Sequence, residues 1–508
     1  MEQLDFQVFG MYLAVIIGLG IAIGCRQKAT TESYFLASKS LPWWILGSSI
    51  FAANISAEHL IGTTGSAYAM GITISAYELT GALALVVAAV IAIPYFVRNN
   101  ITTMPQFLAS KYDNRVRTMF AVFWIVVYTF INLTAVSYMG ALAFQSIGIS
   151  LQHGVYFLIA FAILYSAIGG IASRVWTDFI QVAVLMGAGI ACSYFAIDAY
   201  SASVGASNIV EGMGKLYQAV PGHFDMILEP SNEHFSKIPG VAGVFGIFLG
   251  SLAYFSFNQF IIQGALSAKN VNEAQKGMLF AAGLKLLMPF VVIIPGIIAF
   301  SMTKGSLTPS DTAYPWLITN FLPAGFQGLV MAALFAAIVS TLAAILNSIA
   351  TMFTIDIIQV NKPGLTDKTL VNIARAVVCI CGVIGAVLAV PLLSDTDQAY
   401  HFIQEFVGFV TPAMLVIFFA AMYWKANSEG AIFTTMFSVI TSTGIMLIVP
   451  ELPWLARFLL VLVGSILLYI SIAKDDECVK IDYQSPSTWF KVLGTLVVIT
   501  VFAVYFIL

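Results

Sequence analysis

Apolar residues run in long stretches along this chain, broken by short polar connections, and the length of the stretches sets the reading. Crossing a hydrocarbon layer of about 30 Å takes about 20 apolar residues at about 1.5 Å each. Stretches that meet this test lie near 7–25, 44–70, 73–97, 117–147, 153–172, 174–199, 239–265, 276–303, 325–355, 369–394, 402–423, 429–449, 452–474 and 488–508. Strand-like alternation is absent from them, so the pattern predicts an all-α membrane protein of about fourteen transmembrane helices. The longest connection, about residues 200–238, is too short for a second domain, so 1–508 reads as one transmembrane domain.

Basic residues test this reading independently, because cytoplasmic loops collect Lys and Arg. With both termini outside, the inner loops and helix edges hold Arg26, Lys28, Lys39, Arg98, Lys111, Arg115, Arg117, Arg174, Lys269, Lys276, Lys362, Lys368, Lys425, Lys474, Lys480 and Lys491. The outer side holds only Lys215, Lys237, Lys304 and Arg457. A miscounted span would have scrambled this bias. The N-terminus, with two acids and no base before its apolar run, reads as a retained helix rather than a secretory signal.

Polar residues inside the spans are the candidate chemistry, since each is costly in lipid and tends to face a pathway. The second span carries Asn54, Ser56, Glu58 and His59 among small residues, a stretch poorly suited to a continuous helix. Broken helices whose freed carbonyls line a cavity are how many transporters hold sodium. The seventh span is again polar and aromatic at its middle, from Gly250 to Gln259. Two such interruptions five spans apart are the spacing of two inverted five-helix repeats. Glu78 sits just inside the third span, and Lys285 lies alone in an apolar helix and should find a carboxylate or solute hydroxyls. Ser340 and Thr341, with Ala337 one turn earlier, offer oxygens to a small hard cation. Gln404 and Glu405 open the eleventh span. For each group the plainer alternative is a satisfied polar contact between helices.

Composition removes other classes. Hydrophobic residues make up 60% and charged ones 9%, with a mean hydropathy of +0.93, so lipid must be the main solvent. The net charge is −3 with no basic tract, so nucleic acid is not an expected partner. The cysteines Cys25, Cys192, Cys379, Cys381 and Cys478 have neither metal-ligand nor disulfide spacing. No HExxH zinc helix and no paired intramembrane Asp motif occurs, so the chain is not read as an enzyme.

Several segments together resemble the sodium/solute symporter family, most closely its bacterial sodium/galactose (sodium/glucose cotransporter) branch. They include TESYFLASKSLPWW (31–44), AANISAEH (52–59), FWIVVYTFINLTAV (123–136), GGIASRVWTDFIQV (169–182), PGHFDMIL (221–228), FNQFIIQ (257–263), NEAQKGMLFAAGLKL (272–286) and AAIVSTLAAILNS (336–348). The resemblance implies a LeuT-type 5+5 inverted repeat with one helix before it and three after. The first repeat would cover about 44–199 and the second about 239–423, with extra helices at 7–25, 429–449, 452–474 and 488–508. It implies a sodium site made by the carbonyls of Ala52, Ile55 and Ala337 and the hydroxyls of Ser340 and Thr341, with Asp178 nearby. Solute contacts would come from His59, Glu78, Ser251, Tyr254, Lys285 and Gln404. Tyr254 would stack on the sugar and gate the inner side with Asn54 as partner, while Thr63, Tyr77 and Tyr400 would form the outer lid.

Departures from the family pattern bear on the solute. His59 stands in place of Gln, Ser251 in place of a sugar-binding Asn, Gly81 in place of Ser, and Gly264 in place of Arg. Ala343 and Ala344 lack the hydroxyls of relatives with a second sodium site, which implies one sodium per solute. The function expected is sodium-coupled import of galactose or glucose by alternating access across the cell inner membrane. Alternatives are the same fold carrying an inositol, a sialic acid or an amino acid, or a sugar sensor that does not transport. A carboxylate solute would want an Arg, and none is read at mid-depth beside the solute residues. Expected partners are a small-molecule sugar, the co-transported sodium ion and the lipid bilayer, with a homodimer left open.

Overall fold

Polar interruptions in the apolar runs are where the helices break or widen. The computed structural model describes residues 2–24, 41–55, 58–145, 148–394, 399–473 and 486–507. Among these, 11 helical stretches are long and apolar enough to cross a membrane. Numbering only the main helices, α1 is Gln3–Gly24, α2 Trp43–Asn54, α3 Thr64–Met70, α4 Ser75–Ile91, α5 Asn114–Val127, α6 Leu133–Gln145 and α7 Leu151–Ser203. There follow α8 (Gly240–Phe257), α9 (Gln259–Leu266), α10 (Val271–Lys285), α11 (Ile294–Thr303), α12 (Phe326–Thr351) and α13 (Asp367–Leu393). The chain closes with α14 (Ala399–Val407), α15 (Thr411–Tyr423), α16 (Ser428–Ile448), α17 (Trp454–Ile472) and α18 (Thr488–Ile507).

Both expected interruptions are breaks. α2 ends where Ile55 turns extended (φ −85°, ψ 103°), and the chain resumes as a wide π-helical turn, Glu58–Thr63, before α3. α8 stops at Asn258 (φ −80°, ψ 120°) and α9 begins at the next residue. Asn and Ser offer the backbone local hydrogen bonds that compete with helix, which is why these stretches yield first.

Two boundaries differ from the sequence expectation. The spans expected at 153–172 and 174–199 lie in one continuous helical backbone of 53 residues. Gly169 and Gly170 keep their N–H groups, so the glycine pair does not interrupt the ladder as proline would. The span expected at 402–423 is instead split between Val407 and Thr411, with Pro412 in the first turn of α15.

α12 is the centre of the bundle: 94% of its spanning stretch is buried, against 22% for α18. Small residues let helices close on one another, as where a Cβ on Gly47 of α2 would lie 2.6 Å from the Gly277 carbonyl of α10. The start of α12 is capped from α1, whose Asp5 Oδ1 accepts from the N–H groups of Gly325 (2.7 Å) and Gly328 (2.9 Å). A carboxylate there satisfies orphan donors and the positive helix end together. The helix that carries Ser340 and Thr341 is thereby held at its N-terminus.

Candidate functional site: a cation pocket beside a polar solute cavity

A helix that ends leaves its last carbonyls without intrahelical donors. At the end of α2 one of these, the Ala52 carbonyl, accepts from Thr341 Oγ1 of α12 at 3.3 Å. Next to it, Asp178 of α7 accepts from Ser340 Oγ through one carboxylate oxygen and from Ser49 Oγ of α2, at 2.7 Å, through the other. The Arg174 guanidinium lies 3.6 Å from the same carboxylate and donates to Ser49 Oγ at 3.2 Å. Ala52, Ile55, Ala337, Ser340, Thr341, Asp178 and Arg174 are all buried. Three helices thus bring carbonyl, hydroxyl and carboxylate oxygens together at the first break.

Arg174 was read from sequence as a loop-edge residue, but the structure buries it. Its position four residues before Asp178 puts both on one face of α7, so the pair forms as an i,i+4 bridge inside the bundle. A Cβ on Gly264, the position without an Arg, would lie 3.7 Å from Ser49 Oγ, so a long side chain there would meet the shell of Asp178.

The solute candidates surround a narrow cavity of about 70 Å³ between the two broken helices. Its walls include Asn54, His59, Tyr77, Ser251, Tyr254, Lys285 and Gln404. Glu78, which sequence reasoning set near the membrane edge, is fully buried behind them. Its Oε2 lies 2.6 Å from Lys285 Nζ and its Oε1 3.3 Å from His59 Nε2. Lys285 Nζ also donates to Asn54 Oδ1 at 2.7 Å, an arrangement that the expected Asn54–Tyr254 pairing does not include. A Cβ on Gly81 would lie 2.6 Å from Lys285 Cε, so the absent side chain at 81 is what gives the lysine its path to Glu78.

Not every expected site residue lines this cavity. Thr63 ends the π-helical turn and is fully buried. The Tyr400 side chain, like Ser56, Cys25 and Cys478, lies outside the described residues. Sequence reasoning missed Asn132 and Trp454, which also line the cavity, and Tyr128, whose hydroxyl donates to Asn258 Oδ1 at 2.7 Å and pins the second break. The signal was present for the first and last, since Tyr128–Asn132 is a polar π-helical turn within an apolar span.

Such an arrangement, with two facing broken helices, an oxygen-rich pocket at one break and a polar cavity between them, defines a coupled transporter. Comparison with known proteins places it. A Sodium:solute symporter family profile matches residues 34–438. The Vibrio parahaemolyticus sodium/glucose cotransporter is 42% identical over 86% of this chain and 84% of its own length. Sodium/myo-inositol cotransporter 2 is 32% identical in Mus musculus and 30% in Bos taurus, in each case over 85% of this chain and 68% of the relative. The solved structure of a Na⁺-coupled sialic acid symporter, substrate-bound and outward-open, superposes with a TM-score of 0.80 over 94% of this chain and 99% of its own, at 20% identity. A nucleobase-cation-symport-1 family transporter in a closed conformation gives 0.54 over 92% and 100%, at 15% identity.

The chain belongs to the sodium:solute symporter family. It is a multi-pass membrane protein with the LeuT-type fold, a sodium-coupled transporter and not an enzyme.

Proposed function

We propose that the protein imports a neutral sugar, galactose or glucose, together with one sodium ion. The observation that carries this reading is the polar cavity itself. Asn54, His59, Ser251, Lys285 and Gln404 converge there with Tyr254, and their amides, hydroxyl, imidazole and ammonium suit ring hydroxyls while the aromatic suits a sugar face. The name of the Vibrio relative supports a hexose. No Arg lines the cavity among the described residues, which favours an uncharged solute over a carboxylate.

Sodium would bind at the carbonyls of Ala52, Ile55 and Ala337 and the hydroxyls of Ser340 and Thr341, with Asp178 balancing charge. Bound there, it ties α2 to α12 and orders the adjoining cavity. Solute then enters, and Thr63, Tyr77 and Tyr400 close the outer side. Tyr254 and Asn54 release it inward as the repeats at about 44–199 and 239–423 rock against each other. The basic-residue bias orients both termini outside, in the cell inner membrane. One sodium crossing about 100 mV contributes about 2.3 kcal/mol, enough with its gradient to concentrate a neutral solute.

A second reading, myo-inositol, is favoured by the names of the 30–32% identical relatives and by Ser251 and Gly81, which depart from the galactose pattern. The test is uptake of labelled galactose, glucose and myo-inositol into proteoliposomes under an inward sodium gradient, with potassium in its place as control. Sodium-dependent accumulation of a hexose, lost in Ser340→Ala, is the expected result. Accumulation of myo-inositol alone moves the solute to the second reading, and binding without accumulation makes the protein a sensor.

A further inference from the structure

Beyond the cation pocket, and past the apolar turn that holds Ala343 and Ala344, α12 becomes polar again and stays so to the end of its span. Asn347, Ser348 and Thr351 follow, then Thr354 and Asp356 in the π-helical turn Met352–Ile358, and all five are buried. From Ser340 to Asp356 the rise is about 24 Å at about 1.5 Å per residue. The intervals bring Ser340, Asn347, Thr351 and Thr354 to one side of the helix.

Neighbouring helices close over this strip with further oxygens. From α9, Gln263 Oε1 accepts from Ser348 Oγ at 3.1 Å, while its Nε2 donates to Thr351 Oγ1 at 3.3 Å. From α7, Ser166 donates to Asn347 Oδ1 at 2.6 Å. At the far end, Asp356 Oδ1 takes Arg117 Nε at 2.8 Å and Thr103 Oγ1 at 3.0 Å. Three atoms are left over: Asn347 Nδ2, Thr354 Oγ1 and Asp356 Oδ2 are buried without a hydrogen-bond partner among the described residues.

Helix packing does not account for this. Interhelical hydrogen bonds in membranes are individually weak, and each orphaned polar atom costs more than such a bond returns. A polar strip that is only partly satisfied is better explained by a polar species that passes along it. We propose that this strip is the release route of the transported cation, with the oxygens of Gln263, Ser348 and Thr351 as a second, weaker station. The proposal rests on Ser340 and Thr341 being the first station. Neutral amide and hydroxyl oxygens replace part of a small hard cation's hydration without trapping it, which passage requires. Asp356 then offers its spare oxygen at the exit, and Arg117, holding the other, keeps that carboxylate from becoming a deep well. Gln263 sits on α9, beyond the break at Asn258, so movement of α9 against α12 opens or shuts the strip.

Two experiments on the full-length protein test the route. In Gln263→Leu, and in the nearly isosteric Ser348→Ala/Thr351→Val pair, the sodium concentration that half-saturates solute binding stays within about twofold of wild type. Radiolabelled sodium release from preloaded protein slows by about tenfold or more. Unchanged release in these variants, with sodium dependence still lost in Ser340→Ala, overturns the route and leaves the first station standing. Sodium dependence that survives Ser340→Ala overturns the first station instead. For variants that do not fold, single cysteines at 348 and 351, with the five native ones replaced, provide the second readout. A water-soluble methanethiosulfonate should label both, about tenfold more slowly in saturating sodium than in potassium. Absence of labelling in either salt makes the strip helix packing and overturns the proposal.

Discussion

The cation pocket and the solute cavity adjoin at the first broken helix, yet they are built from opposite materials. Around Asp178 the polar groups are short and fixed. Backbone carbonyls, two serines and a threonine are held by α2, α7 and α12, and Arg174 is the one long side chain. Around the solute cavity the groups are long and bonded to one another: Lys285 reaches both Glu78 and Asn54, and Glu78 reaches His59. The lesson is that a cation wants a preset cage of oxygens, whereas a polyol must replace bonds that these side chains make to one another. A family shared by many solutes can therefore keep the first region and vary the second. Of the departures, His59, Gly81 and Ser251 fall in or beside the second, and Gly264 alone lies beside the first.

If the two regions are separable, mutations should split their effects. The largest is expected at Asp178→Asn, which removes one partner of a buried pair and leaves Arg174 uncompensated. Breaking such a pair costs about 3–5 kcal/mol. That corresponds to a rise of about a hundredfold or more in the sodium concentration that half-activates uptake, or to loss of folded protein. Adding Arg174→Gln should recover thermal stability in detergent but not sodium activation. Recovery of both would mean that Asp178 is structural only.

Glu78→Gln comes next. Lys285 and His59 lose their carboxylate, so the solute KM should rise by about tenfold or more while half-activating sodium moves by less than about threefold. Equal movement of both constants would merge the two regions into one. A smaller and more selective change is expected from Gly81→Ser. The new side chain collides with Lys285 Cε and turns the lysine from Glu78, so the ratio of galactose to myo-inositol uptake should shift by a few-fold with sodium activation unchanged.

The smallest effect lies outside the membrane and sharpens the comparison by touching neither region. His223, in the segment matched as PGHFDMIL, stacks on Phe300 with ring centres 3.9 Å apart, and its Nε2 lies 3.2 Å from the Tyr68 carbonyl. Gly71, at φ +77°, lets that loop close in, since a Cβ there would lie 2.3 Å from the His223 carbonyl. Burial lowers the His223 pKa below its ordinary 6.5, against the Tyr68 carbonyl and Glu233, which raise it, and with His234 lowering it further. The undocked loop thus binds protons more readily. Docking is at full strength above about pH 6.5 and weakens as pH falls through that value toward the folded pKa. Protection of residues 221–228 against hydrogen exchange, after correction for the intrinsic base-catalysed rate, should fall modestly from about pH 7.5 to about pH 5.5, and should fall less in His223→Gln.

Much of this was legible in the chain. The two breaks could be read because Asn54-Ile55-Ser56 and Ser256-Phe257-Asn258 put helix-averse polar residues where only long apolar runs belong. Lys285 announced that it needs a partner for the same reason. The seam expected near residue 173 was not legible, because two glycines permit a helix to continue as well as to end. Arg174 was misplaced because a base beside a span edge looks alike whether it faces water or an acid four residues on.

What the sequence determined by itself is whatever follows from one helix at a time: membrane residence, the approximate spans, the positions of the breaks and the polar residues that must face inward. These depend on local hydrophobicity and backbone competition, which act over a few turns. What only the tertiary structure decided is which inward-facing groups meet. Asp178 finds Ser340 across 162 residues and Ser49 across 129, Lys285 finds Asn54 across 231, and Gly81 makes room for that lysine. Such meetings depend on helix rotation and on single missing methyl groups, and no periodicity along the chain records them.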